Sequence, residues 1–106
     1  GVMTVVYEVN VTILDESIKE EYMAWLKAHV VDILKVEGFK SAQIYSRKVE
    51  KEEEGAALLT VQYHVEGEEA LNSYFTHHAP AFRQDGIKRF GSKFSANRRV
   101  LYLEES

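Results

Sequence analysis

"TVVYEVNVTIL", residues 4–14, decides the fold because its side chains alternate without a break. Tyr7, Val9, Val11 and Ile13 fall on one face of an extended segment, and Val6, Glu8, Asn10 and Thr12 on the other. A period of two with one apolar side marks a strand buried on a single face. Such a strand needs a covering layer on its apolar side and leaves the other side open. "ALLTVQYHV", residues 57–65, repeats the pattern, with Leu59, Val61, Tyr63 and Val65 set against Leu58, Thr60, Gln62 and His64. Residues 40–49 alternate more loosely, Ala42 and Ile44 against Gln43, Tyr45, Arg47 and Val49. The acidic run "EKEEEG", residues 50–55, reads as the solvated loop that joins these two strands into an antiparallel hairpin. "KFSANRRVLYLE", residues 93–104, supplies a fourth strand.

Helical periodicity fills the gaps. "DESIKEEYMAWLKAHVVDILKVEGF", residues 15–39, opens with Ser17 and Glu20 at capping-box spacing. Ile18, Tyr22, Trp25, Leu26, His29, Ile33 and Leu34 then form one apolar stripe, and Gly38 stands where a left-handed C-cap is expected. A shorter helix is expected over residues 68–77 with Leu71, Tyr74 and Phe75 inward. Pro80 suits the first turn of a further helical piece that runs to Phe90 and stops at Gly91. The order strand, helix, strand, strand, helix, strand, with helices on one face only, predicts an α+β fold. It is the ferredoxin-like βαββαβ plait with a four-stranded antiparallel sheet.

A chain of 106 residues is read as one domain, with Gly1 and Val2 set aside as a cloning remnant. No apolar run approaches membrane-spanning length and no secretion signal opens the chain. The absence of cysteine excludes disulfides and thiolate chemistry and makes the cytoplasm the expected compartment. Net charge is −4, yet residues 82–100, "FRQDGIKRFGSKFSANRRV", carry six basic side chains against Asp85. Arg83, Lys88 and Arg89 spread around a helix, where Asp85 can pair with Arg89 one turn on, and Arg98 and Arg99 point to opposite faces of a strand. That is no phosphate-tracking stripe. RNA-recognition modules of this strand order need aromatics on the open face, whereas Tyr7 and Tyr63 fall on the covered side. No nucleic-acid partner is expected.

The open face displays Glu8, Asn10, Thr12, Gln43, Tyr45, Arg47, Thr60, Gln62 and His64. One reading leaves it facing water. The other packs two subunits face to face as a homodimer around a polar cavity that takes a small anionic or polar ligand. Asn10, Tyr45, Arg47, Gln62 and Arg99 would bind it, with Arg99 paired to Glu8 across neighbouring strands. The candidate catalytic residues are His29, His64 and Glu8, the last two as an acid–base pair. His29 is either a neutral imidazole hydrogen-bonded inside the core or a cavity-facing base that burial keeps neutral. His77 and His78 are adjacent on a helix and diverge by about 100°, so they do not share a metal. With no Cys, no H-E-x-x-H, no nucleophile elbow and no phosphate-cradling glycine loop, no metal site and no cofactor is expected.

"YEVNVTI", the W-x-x-x-H of Trp25 and His29, "EGF" after the first helix, "VQY" in the third strand and above all "APAFRQDGIKRFGSKF", residues 79–94, resemble a small bacterial family catalogued as domain of unknown function 4286. The resemblance spans nearly the whole chain. It implies a ferredoxin-like fold of the dimeric α+β barrel type and no assigned activity, and it gives His29 no established role. Other dimeric α+β barrels include cofactor-independent monooxygenases, haem-degrading enzymes and ligand-sensing domains, a relation of fold alone. The expected function is a homodimeric small-molecule-binding or interaction module. A cofactor-independent monooxygenase-like enzyme using His29 or His64 as base is the first alternative, and an amino-acid-sensing regulatory domain the second.

Overall fold

The computed structural model describes residues 4–53 and 56–106, so the readings of Gly1 and Val2 and of the end of the acidic loop lie outside the described residues. Four strands, β1 (Val5–Ile13), β2 (Phe39–Ser46), β3 (Ala57–Val65) and β4 (Phe94–Tyr102), form one antiparallel sheet in the order β2-β3-β1-β4. Helices α1 (Lys19–Ile33), α2 (Glu68–His77) and α3 (Ala79–Phe90) complete the ferredoxin-like arrangement. Overall extents of 44 × 30 × 18 Å describe a thin slab. A sheet with one layer of helices has that thickness, and its second face is left without a covering layer.

Burial follows the alternation read from the sequence on the covered face except at half-buried Val9, while Glu8, Leu58 and Thr60 of the open face are buried as well. Tyr7, Val11, Ile13, Leu59, Val61 and Tyr63 are buried under the helices. There they meet Tyr22, Leu26, Val30 and Ile33 of α1, Leu71 and Tyr74 of α2, and Phe90 of α3 in one core. Each such side chain contributes roughly 1.5–3 kcal/mol on full burial. The largest of them is an aromatic array, with Tyr7 stacked on Tyr63 at 5.7 Å and edge-on to Phe75 at 5.2 Å.

The ends of α1 differ from expectation. Ser17 does not cap it, and α1 has no side-chain cap; Asp15 caps the turn before it, Oδ1 accepting from the Ser17 backbone N–H at 3.0 Å and from the Ser17 hydroxyl at 2.6 Å. Ser17 is thereby committed as a donor, and a single 3₁₀ turn over Glu16–Ile18 precedes the α-helix. The helix stops at Ile33, five residues before Gly38, because the Val36 and Phe39 amides close tight turns onto Ile33 and Val36 instead of continuing the ladder. Gly38 has φ +89° at the entrance to β2, and a Cβ there would stand 2.4 Å from the Ala70 Cβ. Glycine is required at that point twice over, by backbone conformation and by α2 pressing on it. β2 itself ends at Ser46, short of the predicted Val49, although the Arg47 amide still donates to the Leu58 carbonyl at 2.9 Å. Pro80 sits in the first turn of α3, and the helix ends at Gly91, as the sequence predicts.

Candidate functional site

The two faces of the sheet hold polar groups in opposite conditions. On the open face the register sets Glu8 beside Gln62 on one side and Arg99 on the other. Glu8 is only 3% exposed, and its carboxylate accepts from Arg99 Nε, from Asn10 Nδ2 at 2.9 Å and from Gln62 Nε2 at 2.9 Å. Chiefly the Arg99 hydrogen bond, with help from the two amides and against the cost of burial, holds its pKa down at about 2. Asn10 Oδ1 in turn accepts from the Thr60 hydroxyl at 2.7 Å, and Arg47 Nη1 donates to Thr60 Oγ1 at 3.0 Å and to the Leu59 carbonyl. A hydrogen-bonded ladder thus runs from β4 through β1 and β3 to the end of β2. His64 Nε2 bonds Gln43 Oε1 at 2.7 Å beside it.

The covered face encloses a cavity of about 50 Å³ between the sheet and helices α1 and α3. That is room for roughly four waters. Its floor is buried and aromatic, formed by Tyr7, Tyr22, Tyr63 and Tyr74. Half-buried Trp25, His29 and Phe82 and the exposed Arg83 and Arg98 form the rim. Arg83 Nη2 donates to the Tyr7 hydroxyl at 3.3 Å. None of the side-chain hydrogen bonds among the described residues uses the hydroxyls of Tyr22, Tyr63 or Tyr74, and none of the sealed polar atoms lacks a partner. Those hydroxyls therefore look onto the cavity. Burial raises the pKa of Tyr22 to about 12 and those of Tyr63 and Tyr74 further, so all three are neutral donors.

His29 lies flat against Trp25, ring centroids 4.4 Å apart, and edge-on to Phe82 at 5.4 Å. It is half-buried and held by ring contacts, so the predicted hydrogen bond to backbone or tyrosine gives way to stacking. Burial lowers its pKa, more than the nearby Asp85 and Asp32 raise it. The imidazole is neutral at pH 7 and can accept a proton. Trp25 is fixed from behind, Nε1 donating to Asp85 Oδ2 at 3.3 Å. Gly86 of α3 allows that approach, since a Cβ there would stand 3.0 Å from Trp25 Cη2.

Several sequence-derived pairings are rearranged. Glu8 and His64 share a face but are offset by one cross-strand pair, Val6 standing opposite His64, so the proposed acid–base pair does not form. Each is taken by other neighbours, Glu8 by Arg99 and His64 by Gln43. Asp85 bonds Trp25 instead of Arg89, and Arg89 lies 3.5 Å from Glu21 of α1. Neighbouring helices displace the pairing within α3. Asn10, Arg47, Gln62 and Arg99 do come together, yet largely with one another, while Tyr45 stands 48% exposed beside them. The covered-face residues Tyr22, Tyr63, Tyr74, Arg83 and Arg98 were not singled out as a site. The available signal was a set of tyrosines at positions where phenylalanine would suffice for packing, together with an arginine at an inward position of β4.

Among the described residues there is no cluster of three potential metal ligands, and no helix is long and apolar enough to cross a membrane. The chain is similar in fold to SnoaB, a cofactor-independent oxygenase from Streptomyces nogalater, with 6% identity over 97% of this chain and 95% of that one and a TM-score of 0.74. A dimeric ferredoxin-like protein from an uncultured marine organism matches with 8% identity, 98% of both chains and a TM-score of 0.71. A haem-degrading protein of Mycobacterium tuberculosis matches with 20% identity over 100% of this chain and 97% of that one, TM-score 0.65. At such identities the likeness is one of fold. A search of curated proteins gave no match. The model of the family described as "Domain of unknown function (DUF4286)" matches residues 4–104, and the chain belongs to that family.

Proposed function

We propose that this protein binds a small molecule as a pair of copies, the open sheet faces meeting at the subunit interface and each ligand lying under the helices of its own chain. The observation that carries this reading is the unequal state of the two faces. On the open face, Glu8, Asn10, Thr60, Gln62, Arg47 and Arg99 satisfy one another, which leaves a flat, hydrogen-bonded surface suited to a partner and few free donors for a ligand. Beneath the helices, phenolic hydroxyls and a neutral imidazole line a space of about 50 Å³ with apolar walls, the lining of a small-molecule site on a scale that holds only part of a ligand. The described dimeric relative of the same fold supports the pairing.

A catalytic version of the same site is favoured by one observation, the neutral His29 at the cavity rim. Such a base could take a proton from an acidic C–H or O–H while Arg98 stabilises the resulting anion. The fold likeness to a cofactor-independent oxygenase fits that version. The test is mass: light scattering at tens of micromolar for the pairing, and comparison of native with denatured mass for a molecule retained through purification. A single-copy mass would defeat the pairing. Native and denatured masses that agree, with no response of Trp25 to small aromatic molecules, would defeat the ligand site.

A further inference from the structure

The rim of the covered-face cavity has a charge that its floor does not explain. Arg98 and Arg83 both line it, and no carboxylate does. In a chain of net charge −4, that is a local choice and not a general basic surface. Arg83 is partly engaged, donating to the Tyr7 hydroxyl and lying 6.0 Å from the centre of the Phe75 ring. Arg98 is in no ion pair among the described residues, whereas Arg99 next to it is bound to Glu8. The walls are flat: Trp25 and His29 stack 4.4 Å apart at the rim, and Tyr7 stacks on Tyr63 at 5.7 Å on the floor. A half-exposed ring at the rim offers a face on which another planar group can stack.

We infer that the mouth of this cavity takes a small planar organic acid, its flat body on the Trp25–His29 rings at the rim and its carboxylate on Arg98. This rests on the small-molecule reading given above and specifies the ligand class. Guanidinium binds carboxylate through two parallel N–H donors, a contact roughly twice as strong as a neutral hydrogen bond. The phenol groups of Tyr63 and Tyr74 serve as donors to a ring substituent deeper in the site. The space of about 50 Å³ is well below the roughly 150 Å³ of a cavity that takes up a benzene ring, so the ring lies across the mouth and only a small substituent reaches inside.

Trp25 is the single tryptophan and lies at the rim, so its emission reports on the cavity directly. The experiment titrates the whole protein with benzoate and with benzamide, its uncharged counterpart of the same shape, at low salt. Benzoate is expected to change the emission and to bind at least about ten-fold more tightly than benzamide, since a charge-assisted hydrogen bond supplies that much. Arg98→Gln, on the exposed edge of the sheet, should abolish the preference and leave benzamide unchanged. Gly86→Ala, which pushes on Trp25, should weaken both. Equal binding of the two probes, unaffected by Arg98→Gln, would overturn the acid assignment and leave the small-molecule cavity standing. No response to either probe would overturn the acid assignment and remove the cavity reading with it.

Discussion

Arg98 and Arg99 are consecutive residues of β4, and they face opposite sides of the sheet. Arg99 meets Glu8 across the β1–β4 register and belongs to the polar ladder of the open face. Arg98 stands opposite Val9 on the helix side, at the rim of a cavity floored by tyrosines, with no acid to pair with among the described residues. The sheet therefore separates two uses of the same chemistry. On one side Arg99, Arg47, Asn10, Thr60 and Gln62 have their acceptors inside the chain, which makes for a fixed surface. On the other, donors are left facing a space, which makes for binding. A ladder of satisfied groups specifies geometry, while uncommitted groups with apolar walls recognise something brought from outside.

The largest effect that sharpens this contrast comes from another adjacent pair, Tyr63 and Gln62 on β3. Tyr63 is 2% exposed and sits in the aromatic core, so Tyr63→Ala should cost about 3–5 kcal/mol in urea unfolding, the range for deleting a buried aromatic. Gln62→Ala removes one hydrogen bond to Glu8 and should cost about 1 kcal/mol. Equal costs would mean that the open face carries as much of the fold as the core, and the contrast would fail.

Glu8 comes next. Glu8→Ala strands the Asn10 and Gln62 amides and should destabilise by about 1–3 kcal/mol. The acid profile gives the sign. Because the folded-state pKa is lowered from 4.5 to about 2, this carboxylate stabilises the fold fully above pH 4.5, and its contribution is lost as pH falls through about 2. Urea midpoints measured from pH 6 to pH 2 should fall less steeply for Glu8→Gln than for the unaltered chain. Parallel curves would show that Glu8 does not belong to a working network.

His29 gives a smaller pH effect of the same sign on the covered face, beginning at higher pH. Its pKa is lowered from 6.5 by burial, so the neutral ring fits the folded state, and stability declines as pH drops below 6.5, where the unfolded chain takes up the proton first. His29→Gln should flatten that decline without changing unfolding at pH 8 by much, since ring stacking rather than a hydrogen bond holds the residue. The smallest expected effect is at Arg89, 3.5 Å from Glu21 with both side chains more than half exposed. Arg89→Ala should change stability by about 0.2–1 kcal/mol, and less in high salt.

The fold was legible because one parity of β1 and β3 is apolar throughout and because Pro80 and Gly91 punctuate α3 as expected. The Arg99–Glu8 pair was legible for the same reason, since strand order and side-chain parity together place them opposite. Pairings that depend on finer register were not. Glu8 and His64 have the right parity and the wrong rung, and nothing in the alternation of β1 and β3 counts rungs. The capping box at Ser17 did not form because Asp15 takes Ser17 as a donor and caps a 3₁₀ turn ahead of α1. The covered-face cavity escaped for a different reason. Tyrosine at a core position reads as packing, and only the packed helices reveal that the hydroxyls of Tyr63 and Tyr74 end beside a space instead of at a partner. Likewise, parity says that Arg98 faces the helices but not that it will find no acid there.

Native mass spectrometry of Arg98→Ala and Arg99→Ala, each sprayed with benzoate, tests the division between the two faces most directly, because one spectrum reports both assembly and bound ligand. Arg98→Ala is expected to keep the two-copy mass and lose the benzoate adduct. Arg99→Ala, which leaves the 3%-exposed Glu8 without its guanidinium, is expected to shift toward single-copy mass while keeping one benzoate per chain. An Arg98 variant that dissociates yet retains benzoate, or an Arg99 variant that stays paired and loses it, would contradict the assignment of one face to pairing and the other to binding.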